Sequence, residues 1–365
     1  MRIDTVSSES DFERLADCWD ELVRAMPRPS PFLLHAWLLE WWRHYGRGRD
    51  LAVHVAYRGD RLIGALPLAV RRHAGLRVTE FFGGTWALLA DLLVAQGEDV
   101  SSVTGLVERA AASEHDFANL FGLTGPSRLV AALPPDALHL VERLEAPVLD
   151  LSGGWDALYN SKMSSKARSA RRRRLRQLKE LGRVDASVAR SREELEPALE
   201  EAFRVYALRW QGRRDPSGFI TPTGTRFHRV ALLRLAEMDA VRLAAIRLDG
   251  RAIAFALALQ LAGRTYGLTK AFDPAYGRFS PGSEAKLLSL ETAAAEGVAR
   301  VELLGAAADH KRSFVDGFAP IYQGIGLART LRGRAAVEAL VSGIRIRRKV
   351  KSSDTARKLY YRLAR

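Results

Sequence analysis

Two short runs in the last third of the chain carry side chains able to do chemistry together. The first is Arg278-Phe279-Ser280-Pro281-Gly282-Ser283. Ser-Pro-Gly ahead of an apolar-periodic stretch reads as the opening of a helix, with Pro at its favoured first position. Such an opening offers N–H groups and the positive end of the helix dipole to phosphate oxygens. Gly282 would let backbone and phosphate approach, Ser280 or Ser283 would cap or contact oxygen, and Arg278 adds a guanidinium. An ordinary helix cap uses the same residues, so two readings stand. The second run is His310-Lys311, six and seven residues past a strand-like segment ending at Leu304. Histidine accepts a proton near neutral pH, and lysine polarises a carbonyl or holds a phosphate. Asp309 and Glu302 lie beside the same strand exit and read as solvated or structural carboxylates.

Positive charge is placed as unevenly as these residues. The net charge is +14, yet Lys162 to Lys179 alone holds nine Lys/Arg and no acid, and Arg329 to Arg365 holds twelve against Glu338 and Asp354. The rest of the chain is mildly acidic. Met163, Ala167, Ala170, Leu178 and Leu181 recur at helical spacing, which predicts a helix over 162–181 that ends at Gly182. Four consecutive arginines without acids repel one another, so Arg168, Arg171 and Arg172 are read as contacts to a polyanion. Lys270 and the Arg209-Trp210 pair are further substrate-side candidates, with packing the alternative role for Trp210. The C-terminal segment alternates Val337, Leu340, Val341 and Ile344 with Arg345, Arg347, Arg348 and Lys349; it reads as a basic amphipathic element that docks on the protein or on anionic lipid.

These groups need elements to hold them. Val53–Ile63 lies over Leu243–Ile253 at an offset of 190 residues. Each copy runs a strand into Gly59-Asp60 or Asp249-Gly250, a strong hairpin signal, and on into a second apolar run. The second half continues with a strand Thr265–Phe272, a helix from Gly282 to Glu296 stopped by Gly297, and a strand Ala299–Leu304. The first half echoes it with Leu76–Phe82, a helix near Val100–Ala112 and the strand Phe117–Leu123. Trp41-Trp42 belongs to an amphipathic helix opened by Ser30-Pro31. The expectation is α/β (α+β) architecture in two tandem copies, each a mixed, mostly antiparallel sheet flanked by helices.

With 365 residues, 47% hydrophobic and 27% charged, the chain can bury large cores and lies outside the disordered range. One cysteine, Cys18, excludes an intramolecular disulfide and Cys-based zinc. The histidines show no HxH or HExxH spacing and no Gly-x-Ser-x-Gly elbow occurs, so no metal and no serine hydrolase is expected. The acidic N-terminus is unlike a signal peptide, and no apolar run approaches the roughly 20 residues of a membrane span. A cytoplasmic protein follows, at most peripheral at the inner face of the membrane.

The meander, turn, helix and final strand resemble the GNAT acyltransferase core. In order, Arg209-Trp210, Gly218-Phe219, Phe227-His228, Leu248-Asp249-Gly250, Phe272-Asp273-Pro274, Ser280-Pro281-Gly282, Glu302-Leu303-Leu304 and His310-Lys311 resemble the BioF2-like acetyltransferases associated with cellulose or exopolysaccharide biosynthesis, relatives of the Fem peptidyltransferases. Pro31-Phe32 and Trp37–Trp42 resemble their degenerate first domain. The family usually has Tyr-Lys at His310-Lys311, Asp at Glu302 and Trp at Phe314. The turn at 278–283 also departs from the usual GNAT Arg/Gln-x-x-Gly-x-Gly/Ala pattern. The resemblance implies a degenerate GNAT-like domain over 1–148, an acyltransferase domain over 149–328 with the basic helix 162–181 as linker, and a basic tail over 329–365. It implies an acyl-CoA-dependent N-acyltransferase acting on a small-molecule, glycan or lipid-linked acceptor, with Lys311 and His310 as catalytic pair and Arg278, Ser280, Gly282 and Ser283 holding acyl-CoA. Two alternatives remain: a Fem-like transferase using aminoacyl-tRNA, against which the lack of aromatics in Lys162–Lys179 speaks, and a non-catalytic polyanion- or membrane-binding adaptor.

Overall fold

The computed structural model describes residues 1–125, 127–211, 218–304 and 314–352, with side chains to Ile346 in its last helix. The chain forms two compact units that are not contiguous in sequence. One comprises Met1–Asp11, Gly48–Arg143 and the chain from Tyr322; the other comprises Phe12–Arg47 and Leu144–Ile321. The sequence reading instead draws its boundaries at 148 and 328. Apolar periodicity shows that a helix such as His35–Tyr45 must bury a face, but not which partner buries it.

In the first unit, β1 (Arg2–Val6), β2 (Arg49–Arg58), β3 (Arg61–His73) and β4 (Leu76–Phe81) form an antiparallel meander. The two-residue β5 (Leu93–Val94) pairs with β3, and β6 (Phe117–Thr124) joins β4 in parallel. The Gly59-Asp60 turn has Gly59 at φ +60°, as a tight hairpin requires. The C-terminal helix Leu331–Ser352 buries Val337 and Val341 against Val78, Phe117 and Ile325. Its apolar stripe therefore docks on its own unit, while Leu331 and Ile346 remain exposed.

The second unit repeats the plan. Its sheet runs in the order β7 (Leu138–Asp150), β12 (Arg300–Glu302), β11 (Arg264–Phe272), β10 (Arg251–Leu261), β9 (Val241–Leu248) and β8 (Val184–Ala189). All neighbours are antiparallel except β11 and β12. β13 (Gly317–Gly326) and β7 are each divided between the units. Asp249 and Gly250 take φ +49° and +78° in the β9–β10 turn. The helix Pro281–Ala295 follows β11 after a 3-10 turn over Pro274–Phe279, and Gly297 ends it at φ +74°. Helix His35–Tyr45 lies on helix Pro222–Ala236, with Trp37 against Phe227 at 4.9 Å between ring centroids.

The expected helix 162–181 is two helices, Gly154–Lys162 and Ser165–Lys179. Ser164 Oγ accepts the Ala167 N–H at 3.2 Å and so starts the second. That helix ends at a Glu180 cap rather than at Gly182. Gly182 has a different role: a Cβ there would lie 2.2 Å from an oxygen of Asp249, whose other carboxylate oxygen accepts the Arg183 N–H.

Candidate active site

The site begins where two parallel strands part. β11 and β12 are in register at Arg264/Arg300, Thr265/Val301 and Tyr266/Glu302, and no described ladder pair follows. Past that point Leu303 turns its N–H to the Pro147 carbonyl on β7 at 2.8 Å. Among the described residues the β11 edge from Gly267 onward is thus left without a ladder partner on that side. On its other side the register with β10 jumps from Leu257/Thr269 to Ala258/Gly267, so Leu268 is an extra residue that bends the strand. The cleft so formed holds about 430 Å³, within the range of small-molecule sites. Gly267, Leu268 and Lys270 line one wall, Leu303 and Phe314 another, and Ser283, Lys286 and Leu290 of helix Pro281–Ala295 a third.

Glu302 secures the β12 wall. Its carboxylate is wholly buried and takes a two-pronged bond from Arg28, Nε to Oε1 at 3.1 Å and Nη2 to Oε2 at 2.5 Å. Arg264 and Arg300 approach the same Oε1 at 3.3 and 3.4 Å. Tyr266, paired with Glu302 across the ladder, donates its hydroxyl to the Pro29 carbonyl. Burial, with the Glu302 charge nearby, pushes that phenol well above its ordinary range. Glu302 is therefore a structural anchor for the segment around Pro29.

At the helix opening, Ser280 takes the left-handed φ of +55°, and its carbonyl accepts the Ser283 N–H at 2.9 Å and the Glu284 N–H at 3.4 Å. Pro281 has no N–H, so the backbone donors at this turn are largely spent. The side chain of Ser280 makes no capping bond. Gly282 is buried, and a Cβ on it would lie 3.0 Å from the Phe272 ring. Its small size serves packing against β11. Glu284 in the first turn takes both oxygens onto Arg171 Nε at 2.8 and 3.0 Å, and Arg171 Nη1 donates to the Tyr159 hydroxyl at 3.0 Å. Burial works against the Arg171 charge, but these bonds to Tyr159 and Glu284 prevail and raise its pKa.

The structure thus divides the residues expected from sequence. Lys270 and Ser283 line the cleft. Arg278 is exposed, its guanidinium 4.6 Å from the Phe279 ring centroid. Arg171 is committed to Glu284, and Arg168 donates to Asn160 Oδ1 at 2.8 Å. Arg172 faces solvent, as do Lys166, Arg173, Arg176 and Lys179. Trp210 stacks on Tyr206 at 5.8 Å and is absent from the cleft lining, so it packs within its unit. Asp309, His310 and Lys311 lie outside the described residues. Sequence reasoning missed Gly267, Lys286 and Phe314; a glycine inside a strand was the available signal for a bulge or a close approach at position 267. Among the described residues no group of His, Cys, Asp or Glu could hold a metal ion, and no helix is long and apolar enough to cross a membrane.

The sequence profile of the acetyltransferase (GNAT) domain matches residues 165–312. No curated protein matches the chain. Among solved structures, FemX superposes with a TM-score of 0.59 at 13% identity, covering 88% of this chain and 97% of its own. A tandem GNAT protein from the clavulanic acid biosynthesis pathway gives 0.50 at 13% identity, covering 90% of this chain and 100% of its own. L-PGS from Bacillus licheniformis gives 0.51 at 12% identity, covering 82% and 94%. The open β11 edge, the helix that follows it and these matches agree: the fold is of the GNAT acetyltransferase type, and the matched acetyltransferase domain lies within residues 165–312.

Proposed function

We propose that the second unit is an acyltransferase that takes an acyl-CoA thioester and passes its acyl group to an amine, or a hydroxyl, of a small-molecule, sugar or lipid-linked acceptor. One observation carries the reading: the β11 edge opens beside β12 into a cleft walled by Leu257, Leu290, Leu303 and Phe314. Strand N–H and C=O groups that no described residue pairs would take an amide-bearing arm by strand addition, and apolar walls keep water from the reacting carbon. Ser283 and Arg278, with the exposed Arg172 and Arg173, are our candidates for the phosphates of the donor. The side of Gly282 where a Cβ would stand faces Phe272.

Bound there, the thioester supplies an activated carbonyl with a sulfur leaving group. The acceptor nitrogen uses its lone pair to form the new C–N bond as the C–S bond breaks, and the nitrogen's surplus proton ends on a base or on the departing thiolate. We assign that base to His310 and polarisation of the carbonyl to Lys311, eight and nine residues past the end of β12 in sequence. Lys311→Met should lower turnover by roughly 10²–10³, the scale of one lost oxyanion donor. His310→Gln should remove the acidic limb of the pH–rate profile.

The exposed arginine ridge favours a second reading, an aminoacyl-tRNA donor, and a non-catalytic adaptor is the third. Thiol release from acetyl-CoA and longer acyl-CoAs, assayed with mixed amine acceptors, separates them. Acceptor-dependent thiol release supports the first reading; none with any thioester, alongside retention of tRNA by the wild-type protein, overturns it for the second.

A further inference from the structure

The cleft beside β11 deepens in one direction. Along the strand it runs from the exposed Lys270, through the half-buried Thr269, Leu268 and Gly267, to the buried Thr265. Helix Pro281–Ala295 shows the same gradient, from the exposed Ser283 through the half-buried Lys286 and Ser289 to the buried Leu290. The mouth therefore lies at the helix opening, and Ala258, Thr265, Leu290 and Val301 close the deep end.

These four side chains are apolar except for one hydroxyl. Thr265 is 3% exposed, and its Oγ1 is buried with no hydrogen-bond partner among the described residues. Gln260, opposite Thr265 on β10, does not supply one, since its own buried Oε1 is also unpartnered. A hydroxyl taken out of water with nothing to bond is destabilising, and a ligand that brings an acceptor relieves it.

What reaches this end follows from how the donor lies. With its phosphates at the helix opening and its arm along β11, an acyl-CoA brings its thioester to Gly267, where the strands part, and only the acyl group goes deeper. Gly267 and Thr265 are two residues apart, which is roughly 6–7 Å along a strand. An oxygen on the third carbon of an acyl chain stands roughly 3–4 Å from the carbonyl carbon, and a hydrogen bond adds about 2.8 Å. The two lengths agree, whereas a plain alkyl chain of the same length leaves the Thr265 hydroxyl unbonded.

We infer that the acyl group taken by this cleft carries an oxygen on its third carbon, which accepts a hydrogen bond from Thr265 Oγ1, and that Thr265 selects it over the plain alkanoyl chain. The inference deepens the acyl-transfer reading and rests on it. A 3-hydroxyacyl and a 3-oxoacyl group share this chemistry, and separate probes distinguish them.

Calorimetry on the full chain compares butyryl-CoA with the two enantiomers of 3-hydroxybutyryl-CoA and with acetoacetyl-CoA. At least one oxygenated thioester should bind tenfold or more tighter than butyryl-CoA, because a site built to bond a substrate oxygen discriminates against the analogue without it. The probe that responds tells hydroxyl from ketone. Thr265→Val and Thr265→Ala should bring the ratio close to one, and Thr265→Ser should keep it. Equal affinity for all the thioesters, tightest binding of butyryl-CoA, or a preference that survives both the Val and the Ala variant overturns this inference alone and leaves the acyl-CoA reading standing. Failure of every thioester to bind the wild type sinks that reading, and this inference with it.

Discussion

Replacing Arg28 by Met tests whether the wall of the cleft is held by charge. Arg28 contributes two charge-assisted bonds to a carboxylate with no solvent exposure, and its own side chain is only 15% exposed. Removing one partner of a buried pair costs about 3–5 kcal/mol when the remaining charge is stranded. Glu302 is not stranded here, because Arg264 and Arg300 stay within 3.4 Å, so the cost should fall to about 2–3 kcal/mol. For a unit of this size that is a loss of roughly 5–10 °C in melting temperature. Glu302→Gln should cost more, since three guanidinium groups then converge on a neutral amide. The double variant should cost less than the sum, with a coupling above about 1 kcal/mol. Urea unfolding followed by tryptophan fluorescence gives all three numbers. A change below about 0.5 kcal/mol for Arg28→Met, or additive single variants, would mean that the Arg28–Glu302 pair does not hold this wall.

Other outcomes follow from the same geometry. His54 is buried on β2 beside Thr5, and burial with Arg109 nearby lowers its pKa to about 4; the unfolded chain binds its proton first, so stability should fall by about 3 kcal/mol between pH 6.5 and 4. His54→Gln should flatten that slope in chemical denaturation measured across pH, and an unchanged slope would contradict the assignment. Gly282→Val should lower the melting temperature through its clash with Phe272, where an unchanged melting curve with lost donor binding would restore the phosphate reading. Changing Arg172, Arg173 and Arg176 together to Gln should flatten the salt dependence of donor binding while leaving stability within about 0.5 kcal/mol; Arg171→Gln should instead destabilise, because it leaves the buried Glu284 uncompensated.

Legibility in the sequence followed the range of the interaction. The hairpins at Gly59-Asp60 and Asp249-Gly250, the helix opening at Pro281 and the stop at Gly297 depend on local backbone chemistry, and all four could be read from a few neighbouring residues. The break at Met163–Ser164 was also local, but a helical period continuing through it hid the Ser164 cap. The cleft itself could not be read this way. It arises because β12, paired on one edge with β11 and on the other with β7 over Arg300–Glu302, has no described pair with β11 past Glu302 while Leu303 stays bonded to β7, a pairing between segments far apart in sequence. Arg171 looked like part of a uniform basic run, and only the fold supplies Glu284 as its partner. In the same way the assignment of Phe12–Arg47 to the second unit depends on Trp37 meeting Phe227 and Arg28 meeting Glu302.

Titration of the wild-type protein and Gly267→Leu with acetyl-CoA shows whether the gap between β11 and β12 holds the donor. A Cβ on Gly267 would point toward Leu303 at 3.6 Å and the Glu302 carbonyl at 3.7 Å, into the gap where the strands part, without backbone clash. Leucine there should fill the cleft and leave the fold intact. The wild type should bind saturably, with a stabilisation of about 2.7 kcal/mol at a hundredfold excess over Kd, and Gly267→Leu should lose at least tenfold in affinity at an unchanged unliganded melting temperature. Equal affinity in the two proteins, or no binding of acetyl-CoA, longer acyl-CoAs or free CoA to the wild type, would contradict it.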